Sequence, residues 1–316
     1  MKLVVQIPCL NEEKTLPIVL KSIPKSIKGI DHIEILVIDD GSTDKTIEVA
    51  KKHGVTHFVR HAGNMGLARS FHDGVHKALE MGADIVVNTD GDNQYPQERI
   101  SDLVQPILDS KADIVVADRQ TQKIAHFSPF KKFLQKLGSW VVNKAAGTNI
   151  PDAASGFRAY SRQSIIRLNI ITTFSYCMET IIQAGNKHLA ITSIPVTTNK
   201  KTRESRLFSS MWQHVFESGS AITRAYLMYK PHIIFINLGI FLLILGAFPF
   251  ARFIYLEMTR DGGHHIQSLL FGIVLLLAAF LSFVLAIVAD VIRTNRILTE
   301  ESIEQQKIIR FAKKDI

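Results

Sequence analysis

Two stretches near the C-terminal end carry no charged residue: Pro231 to Ala251 runs for 21 positions and Ile266 to Ala289 for 24. At about 1.5 Å per residue, a helix of either length crosses a hydrocarbon layer roughly 30 Å thick. A buried helix of a globular protein shows a polar side over such a length, and neither stretch has one. The loop between them, Arg252 to His265, is short and mixed in charge. Lys230 precedes the first stretch, Arg293 and Arg296 follow the second, and Lys307, Arg310, Lys313 and Lys314 lie beyond. Positive residues stay on the cytoplasmic side, so the spans are expected to form a hairpin with both ends in the cytoplasm.

The rest of the composition agrees with a chain held at a membrane. Lys and Arg number 37 against 29 Asp and Glu, a net charge of +8. That excess flanks apolar spans and does not form a stripe interleaved with aromatics, which excludes nucleic acid as a partner. Cys9 and Cys177 stand far apart, so neither a disulfide framework nor a thiolate zinc site is expected. After Lys2 the apolar run is interrupted by Asn11, Glu12 and Glu13, so no secretory signal core forms there and the first domain is expected in the cytosol.

Over the first part of the chain, short β-branched runs alternate with helical patterns. Leu3 to Pro8, Ile33 to Asp39, His57 to Arg60, Ile85 to Thr89 and Ile114 to Asp118 read as buried strands. Between them, Leu67, Phe71, Val75 and Ala78 share one face of a helix that opens near Gly66. The rhythm predicts an α/β domain with a mostly parallel sheet covered on both faces, whose ligands bind beyond the carboxyl ends of the strands. Residues 1–204 form this domain. Leu207, Phe208, Met211, Trp212, Val215 and Phe216 repeat at helical spacing, which predicts an amphipathic juxtamembrane helix within 205–229. A membrane module over 230–292, with spans at about 231–251 and 266–289, and a cytoplasmic tail over 293–316 complete the chain.

The polar clusters fall at strand ends. Asp90-Gly91-Asp92-Asn93-Gln94 places two carboxylates where they can converge on a hard cation, Mg²⁺ or Mn²⁺, bridging a diphosphate. Pro8 to Glu13 leaves the first strand and Asp39 to Asp44 the second. Ser42 or Thr43 could cap the helix starting near Lys45, yet capping leaves the adjacent acids Asp39 and Asp40 unexplained. One of that pair is better placed to accept from the N–H groups of a nucleobase or from ribose hydroxyls. His72 and His76 have zinc-helix spacing but lack a catalytic Glu and a third ligand, so they read as a solvated helix face. Gly63-Asn64-Met65-Gly66 follows the third strand and lacks the full dinucleotide fingerprint.

Taken in order, Pro8 to Glu12, Asp39 to Asp44, Asn64-Met65-Gly66, Asp90 to Gln94 and Asp152 to Arg158 resemble family 2 glycosyltransferases of GT-A fold. With two spans following, the chain looks like the polyprenyl-phosphate glycosyltransferases, which act on dolichyl or undecaprenyl phosphate in cell-envelope or glycoprotein glycan synthesis. The resemblance implies that Pro8, Asn11, Glu12, Asp39, Asp40, Asn64, Gly66, Asp90 and Gly91 bind a UDP- or GDP-linked sugar. It implies Asp90, Asp92 and Gln94 around the metal, and Asp92, Arg119 and Asp152 as catalytic. Arg119, with Arg203 and Arg206 on a mobile basic loop, would face phosphate, and either Lys131 or Lys132 would add a second cation. Gly91 departs mildly, because many relatives carry Ala. The implied reaction is an inverting transfer to a membrane polyprenyl phosphate, in a multi-pass protein that leaves room for homo-oligomers.

A phosphate monoester, with a second pKa near 6, is mostly dianionic at pH 7 and attacks without a protein base. The alternative is a hydroxyl acceptor, a glycolipid or a polysaccharide, for which Asp152 would be the base. Against the polysaccharide synthases, a Gln-x-x-Arg-Trp segment is absent. A non-catalytic sugar-nucleotide scaffold would show an eroded metal set, whereas Asp90, Asp92 and Gln94 are all present.

Overall fold

The computed structural model describes residues 1–123, 129–170, 176–199, 219–220, 231–259 and 266–312. It divides into two units, Met1–Thr223 with Ile303–Ile316, and Arg224–Ser302.

The first unit is built on a sheet of seven strands, β1 (Lys2–Cys9), β2 (His32–Asp39), β3 (His57–Arg60), β4 (Ile85–Asn88), β5 (Ile114–Asp118), β6 (Arg158–Ser161) and β7 (Ile191–Pro195), in the order β3-β2-β1-β4-β6-β5-β7. The five strands read from the sequence are β1 to β5, each within two residues of its expected bounds. All pairings are parallel except those of β6, which runs antiparallel to both β4 and β5. The central strands are apolar on both faces: Leu3, Val4, Val5 and Ile7 are each fully buried. That is what a sheet sandwiched between helices demands.

Helices α1 (Leu16–Ser22), α2 (Thr46–Lys52), α3 (Leu67–Glu80), α4 (Ile100–Leu108), α5 (Pro129–Ala146), α6 (Arg162–Arg167) and α7 (Tyr176–Asn186) surround the sheet. Gly66, at φ +91°, opens α3 where the sequence placed its start. Along α3, Phe71, Val75 and Ala78 turn inward. Gly74 permits the close approach, since a Cβ there would stand 2.7 Å from Gln6 Oε1 and 2.9 Å from the Ile38 side chain. Neither Ser42 nor Thr43 caps α2: the N-cap is Lys45, without a side-chain bond, while Asp44 Oδ1 accepts from the Thr46 N–H and Ser42 Oγ accepts from the Asn11 N–H.

Ile303–Ile316 belongs to this unit. Lys307 Nζ donates to the Leu168 carbonyl at 2.7 Å and to Asn169 Oδ1 at 2.8 Å, and Arg310 pairs with Glu80 at 3.2 Å. Phe311, 5% exposed, stands edge-on to the His76 ring.

The second unit holds α8 (Pro231–Met258) and most of α9 (Ile266–Arg310), 28 and 45 residues long, with mean hydropathy of 2.5 and 3.0 over their most apolar windows. Both are long and apolar enough to cross a membrane. Phe241, Phe248 and Ile287 are more than 60% exposed, while Gly239, Gly246 and Gly272 turn toward Phe283, Leu276 and Phe250 of the opposite helix. Small residues allow that close approach where lipid provides no hydrophobic drive between helices.

In the catalytic unit a comparable contact fixes α5 on α7. A Cβ at Gly185 would collide with the backbone carbonyl of Ala146, which cannot swing aside as a side chain can. Gly185→Ala is expected to destabilise the fold by about 1–3 kcal/mol. Thermal unfolding of the full chain in detergent should therefore fall by several degrees, and an unchanged midpoint would contradict this packing.

Candidate active site

Parallel strands deliver their carboxyl ends to one edge of the sheet, and the antiparallel β6 brings its leading loop, Asp152 to Phe157, to the same edge. The sequence-read motifs meet there. At the end of β1, Asn11 adopts φ +56° and its Oδ1 accepts from the Thr43 N–H at 2.8 Å. Glu12 is 4% exposed, with one carboxylate oxygen 2.6 Å from Thr15 Oγ1. At the end of β2, Asp39 Oδ1 accepts from the Ser42 N–H at 2.9 Å, while Oδ2 lies 3.7 Å from Arg60 Nε. Asp40 accepts from the Met65 and Gly66 N–H groups, each at 2.9 Å, and so shapes the loop that carries Asn64 and Gly66. Gly41, at φ +82°, lies under that loop, because a Cβ there would stand 2.7 Å from the Gly63 carbonyl carbon.

Beyond β4, Asp92 Oδ1 accepts from the Gln94 N–H at 3.1 Å, and its Oδ2 accepts from Gln94 Nε2 at 2.7 Å. Gly91 lies close to the β1 end, since a Cβ there would stand 3.0 Å from Cys9 Sγ, 3.2 Å from Glu12 Cγ and 3.5 Å from the Pro8 carbonyl oxygen. An Ala at this position is therefore tight in this chain. Among the described residues no group of three or more His, Cys, Asp and Glu could hold a metal. Asp90 and Asp92 nevertheless suit a cation whose remaining ligands come from a substrate diphosphate and water, the usual economy of Mg²⁺ and Mn²⁺ sites.

The loop over this edge is braced from below by residues that the sequence reading passed over. Asn199 Nδ2 donates to the Asn93 and Tyr95 carbonyls at 3.1 and 3.2 Å. The Gly156 N–H donates to the Tyr95 hydroxyl at 3.0 Å, and burial pushes that phenol well above its usual range. Gln6 Nε2 donates to Asn88 Oδ1, and Asn88 Nδ2 donates to the Gly156 carbonyl and the Tyr176 hydroxyl. Polar residues inside apolar strand runs, Gln6 in β1 and Asn88 in β4, were the available signal.

Arg119, beyond β5, grips Asp152 with a two-pronged pair, Nε to Oδ2 at 2.6 Å and Nη2 to Oδ1 at 2.9 Å. The side chains are only 18% and 4% exposed. Burial alone would raise the Asp152 pKa, but the Arg119 charge and hydrogen bonds outweigh it and hold the carboxyl below the usual range. Arg158, fully buried, donates to the carbonyls of Ala153, Ser155 and Cys177 and to Thr180 Oγ1, which pins this loop to α7.

Helix α5 carries a further feature. Phe130, Phe133, Leu137 and Trp140 are 43–61% exposed and recur at spacings that keep them on one face. The helix also has four lysines and no acid. Lys132 Nζ donates back to the Gln122 carbonyl at 2.8 Å. Arg203, Arg206, the Lys131 side chain and the predicted amphipathic repeat over 207–216 lie outside the described residues. Among the described residues His72 and His76 belong to no metal ligand set; they are half-buried, with rings 4.3 Å apart, and burial, aided by the neighbouring His72, Lys307 and Arg310, pushes His76 down to about 4.

Paired acids and a buried Arg–Asp pair thus meet at the carboxyl edge of a mostly parallel sheet, and the fold is GT-A-like. Residues 4–168, just over half of the chain, match Glycosyl transferase family 2, and the chain belongs to that family. It is 28% identical over 213 residues to a UDP-N-acetylglucosamine–dolichyl-phosphate N-acetylglucosaminyltransferase of Methanococcus voltae, covering 61% of this chain and 83% of that one. It is 25% identical over 218 residues to an undecaprenyl-phosphate mannosyltransferase of Micrococcus luteus, covering 66% and 88%. Among solved structures, glucosyl-3-phosphoglycerate synthase of Mycobacterium tuberculosis, bound to Mn²⁺, UDP-glucose and phosphoglyceric acid, superposes with a TM-score of 0.56 at 21% identity. It covers 70% of this chain and 79% of that one, and shares the fold.

Because the folded Asp152 pKa is depressed, the stability it contributes is present above the ordinary aspartate value near 4 and is lost as pH falls through the folded value. Asp152→Asn leaves the Arg119 charge buried without its partner and should cost about 3–5 kcal/mol at pH 7. Denaturant unfolding from pH 7 to pH 3 should show this deficit shrinking as the wild type loses the pair. A constant deficit would contradict the assignment.

Proposed function

We propose that the chain transfers a sugar, with inversion, from a nucleotide diphosphate sugar to a membrane polyprenyl monophosphate. One observation carries this choice of acceptor: Asp152, the candidate base for a hydroxyl acceptor, is bound on both oxygens by Arg119 and held ionised. A depressed carboxylate in a two-pronged ion pair is a poor proton acceptor. The nucleophile must then bring its own negative charge, as a phosphate dianion does.

In this reading Pro8, Asn11, Glu12, Asp39, Asp40, Asn64 and Gly66 frame the nucleoside. Asp39 is the better candidate for the base, since Asp40 already receives two backbone N–H groups and an imidazole. Asp90, Asp92 and Gln94, next to Gly91, would hold Mg²⁺ or Mn²⁺ with the diphosphate. When bound, such an ion offsets charge on the leaving group. Arg119 keeps N–H groups beyond the two that grip Asp152, and in this reading these would bind phosphate oxygens, with Arg203, Arg206 and Lys131 or Lys132 as the further cations that the resemblance implies. The acceptor oxygen bonds to the anomeric carbon as the bond to the diphosphate oxygen breaks, and the nucleoside diphosphate leaves with the electron pair. Positioning two anions at one carbon is the main task of the site.

The exposed stripe on α5, beside its lysines, suits the interface from which a lipid phosphate is drawn. With α8 and α9 as membrane spans, the catalytic unit works on the cytoplasmic face.

The test is transfer itself. Vesicles holding the full chain and a polyprenyl phosphate are given labelled UDP- and GDP-sugars in turn, and label is extracted into organic solvent. One donor should yield glycolipid with inverted anomeric configuration. Asp92→Asn or excess EDTA should lower the rate at least about a hundredfold. Full activity in EDTA, or retention of configuration, would contradict the proposal.

A further inference from the structure

His61 follows β3 directly and presents both ring nitrogens to carboxylates. Nδ1 lies 2.7 Å from Asp40 Oδ1, and Nε2 lies 3.2 Å from Asp73 Oδ2 on α3. The imidazole is 6% exposed, so water does not substitute freely for either partner. A neutral imidazole donates from one nitrogen and accepts at the other, and therefore satisfies one carboxylate and repels the second. Only the imidazolium donates to both.

Each partner leads into the candidate donor site or its support. Asp40 is the carboxylate that gathers the Met65 and Gly66 N–H groups and so shapes the loop opening α3. Asp73 is held on its far side by Arg69 Nε at 2.7 Å and His72 Nδ1 at 2.8 Å. Burial would raise the Asp73 carboxyl, but His72 and Arg69 hold it below its usual range, as a carboxylate. Other charges nearby are Arg60 and Asp39, 3.7 Å apart where β2 and β3 end. The His61 N–H also donates to the Asp39 carbonyl at 2.9 Å. The loops it joins touch at Gly41 with no room for a side chain, so any slackening moves both.

We propose that His61 is a positioning residue for the donor: held by one ring nitrogen on Asp40 and by the other on Asp73, it locks the 39–44 and 61–66 loops to α3. This rests on the reading that these loops bind the nucleotide sugar.

The experiment is calorimetric titration of the full chain in lipid nanodiscs with the nucleotide sugar that supports transfer, set beside kcat and KM for that donor. His61→Ala should weaken donor binding about threefold to tenfold, the scale of one hydrogen bond, and raise the donor KM to match while kcat stays within about twofold. His61→Gln, whose amide can donate to one of the two carboxylates, should recover part of the loss, and Asp73→Asn, on α3, should weaken binding in the same direction. Wild-type donor affinity in His61→Ala, or a loss of kcat with KM unchanged, overturns the inference and leaves the donor assignment standing. Failure of every nucleotide sugar to bind overturns the donor assignment and this inference with it.

Discussion

Strand direction is the constraint on which the site depends. Because β1, β2, β4 and β5 run parallel, the segments that leave them, with Glu12, Asp39 and Asp40, Asp90 and Asp92, and Arg119, all emerge at one edge. Residues more than a hundred positions apart in sequence thereby share one surface. A single reversal completes the set: β6 enters between β4 and β5 antiparallel, so the loop before it, with Asp152, arrives at that edge too. Had β6 been parallel, Asp152 would lie at the opposite edge and Arg119 would have no carboxylate to grip.

Charge at this edge is managed by pairing rather than by exposure. Arg119 and Asp152 neutralise one another in a largely buried, two-pronged contact, and Arg158 is surrounded by backbone carbonyls where no water reaches. Removing a partner from such an arrangement is more damaging than never having buried it, because the charge left behind stays desolvated. The same arrangement leaves Asp152 a poor proton acceptor. A reaction between two phosphate-bearing molecules fits this better than proton abstraction from a hydroxyl.

Much of this was legible in the residues. Short continuous β-branched runs mark β1 to β5 and a period of 3.6 marks α3, because burial on a regular element leaves a regular trace. The charge-free spans stand out for the same reason. By contrast, β6 starts on the last residue of a polar motif and carries Arg158 and Ser161 at its ends, and β7 has no fully buried residue, so neither forms a continuous apolar run. The candidate site divides similarly. Paired acids at strand ends are visible as unusual chemistry, but the division of labour between Asp39 and Asp40 depends on which loop folds over them. The partnership of Arg119 with Asp152 spans 33 positions and depends on the reversal of β6. His61 and Asn199 look like ordinary loop residues until the chain is folded, while the aromatic stripe of α5, free of acids, was readable by spacing.

At the centre of this account is a nucleophile that carries its own charge. The most direct measurement is the initial rate of sugar transfer to a polyprenyl monophosphate against that to the same polyprenol, at equal concentration in the same vesicles with saturating donor. The account predicts transfer to the phosphate and a rate at least about a thousandfold lower with the alcohol, because Asp152, the candidate base, is held ionised by Arg119. Equal rates with the two acceptors would show that a protein base is at work and would contradict it.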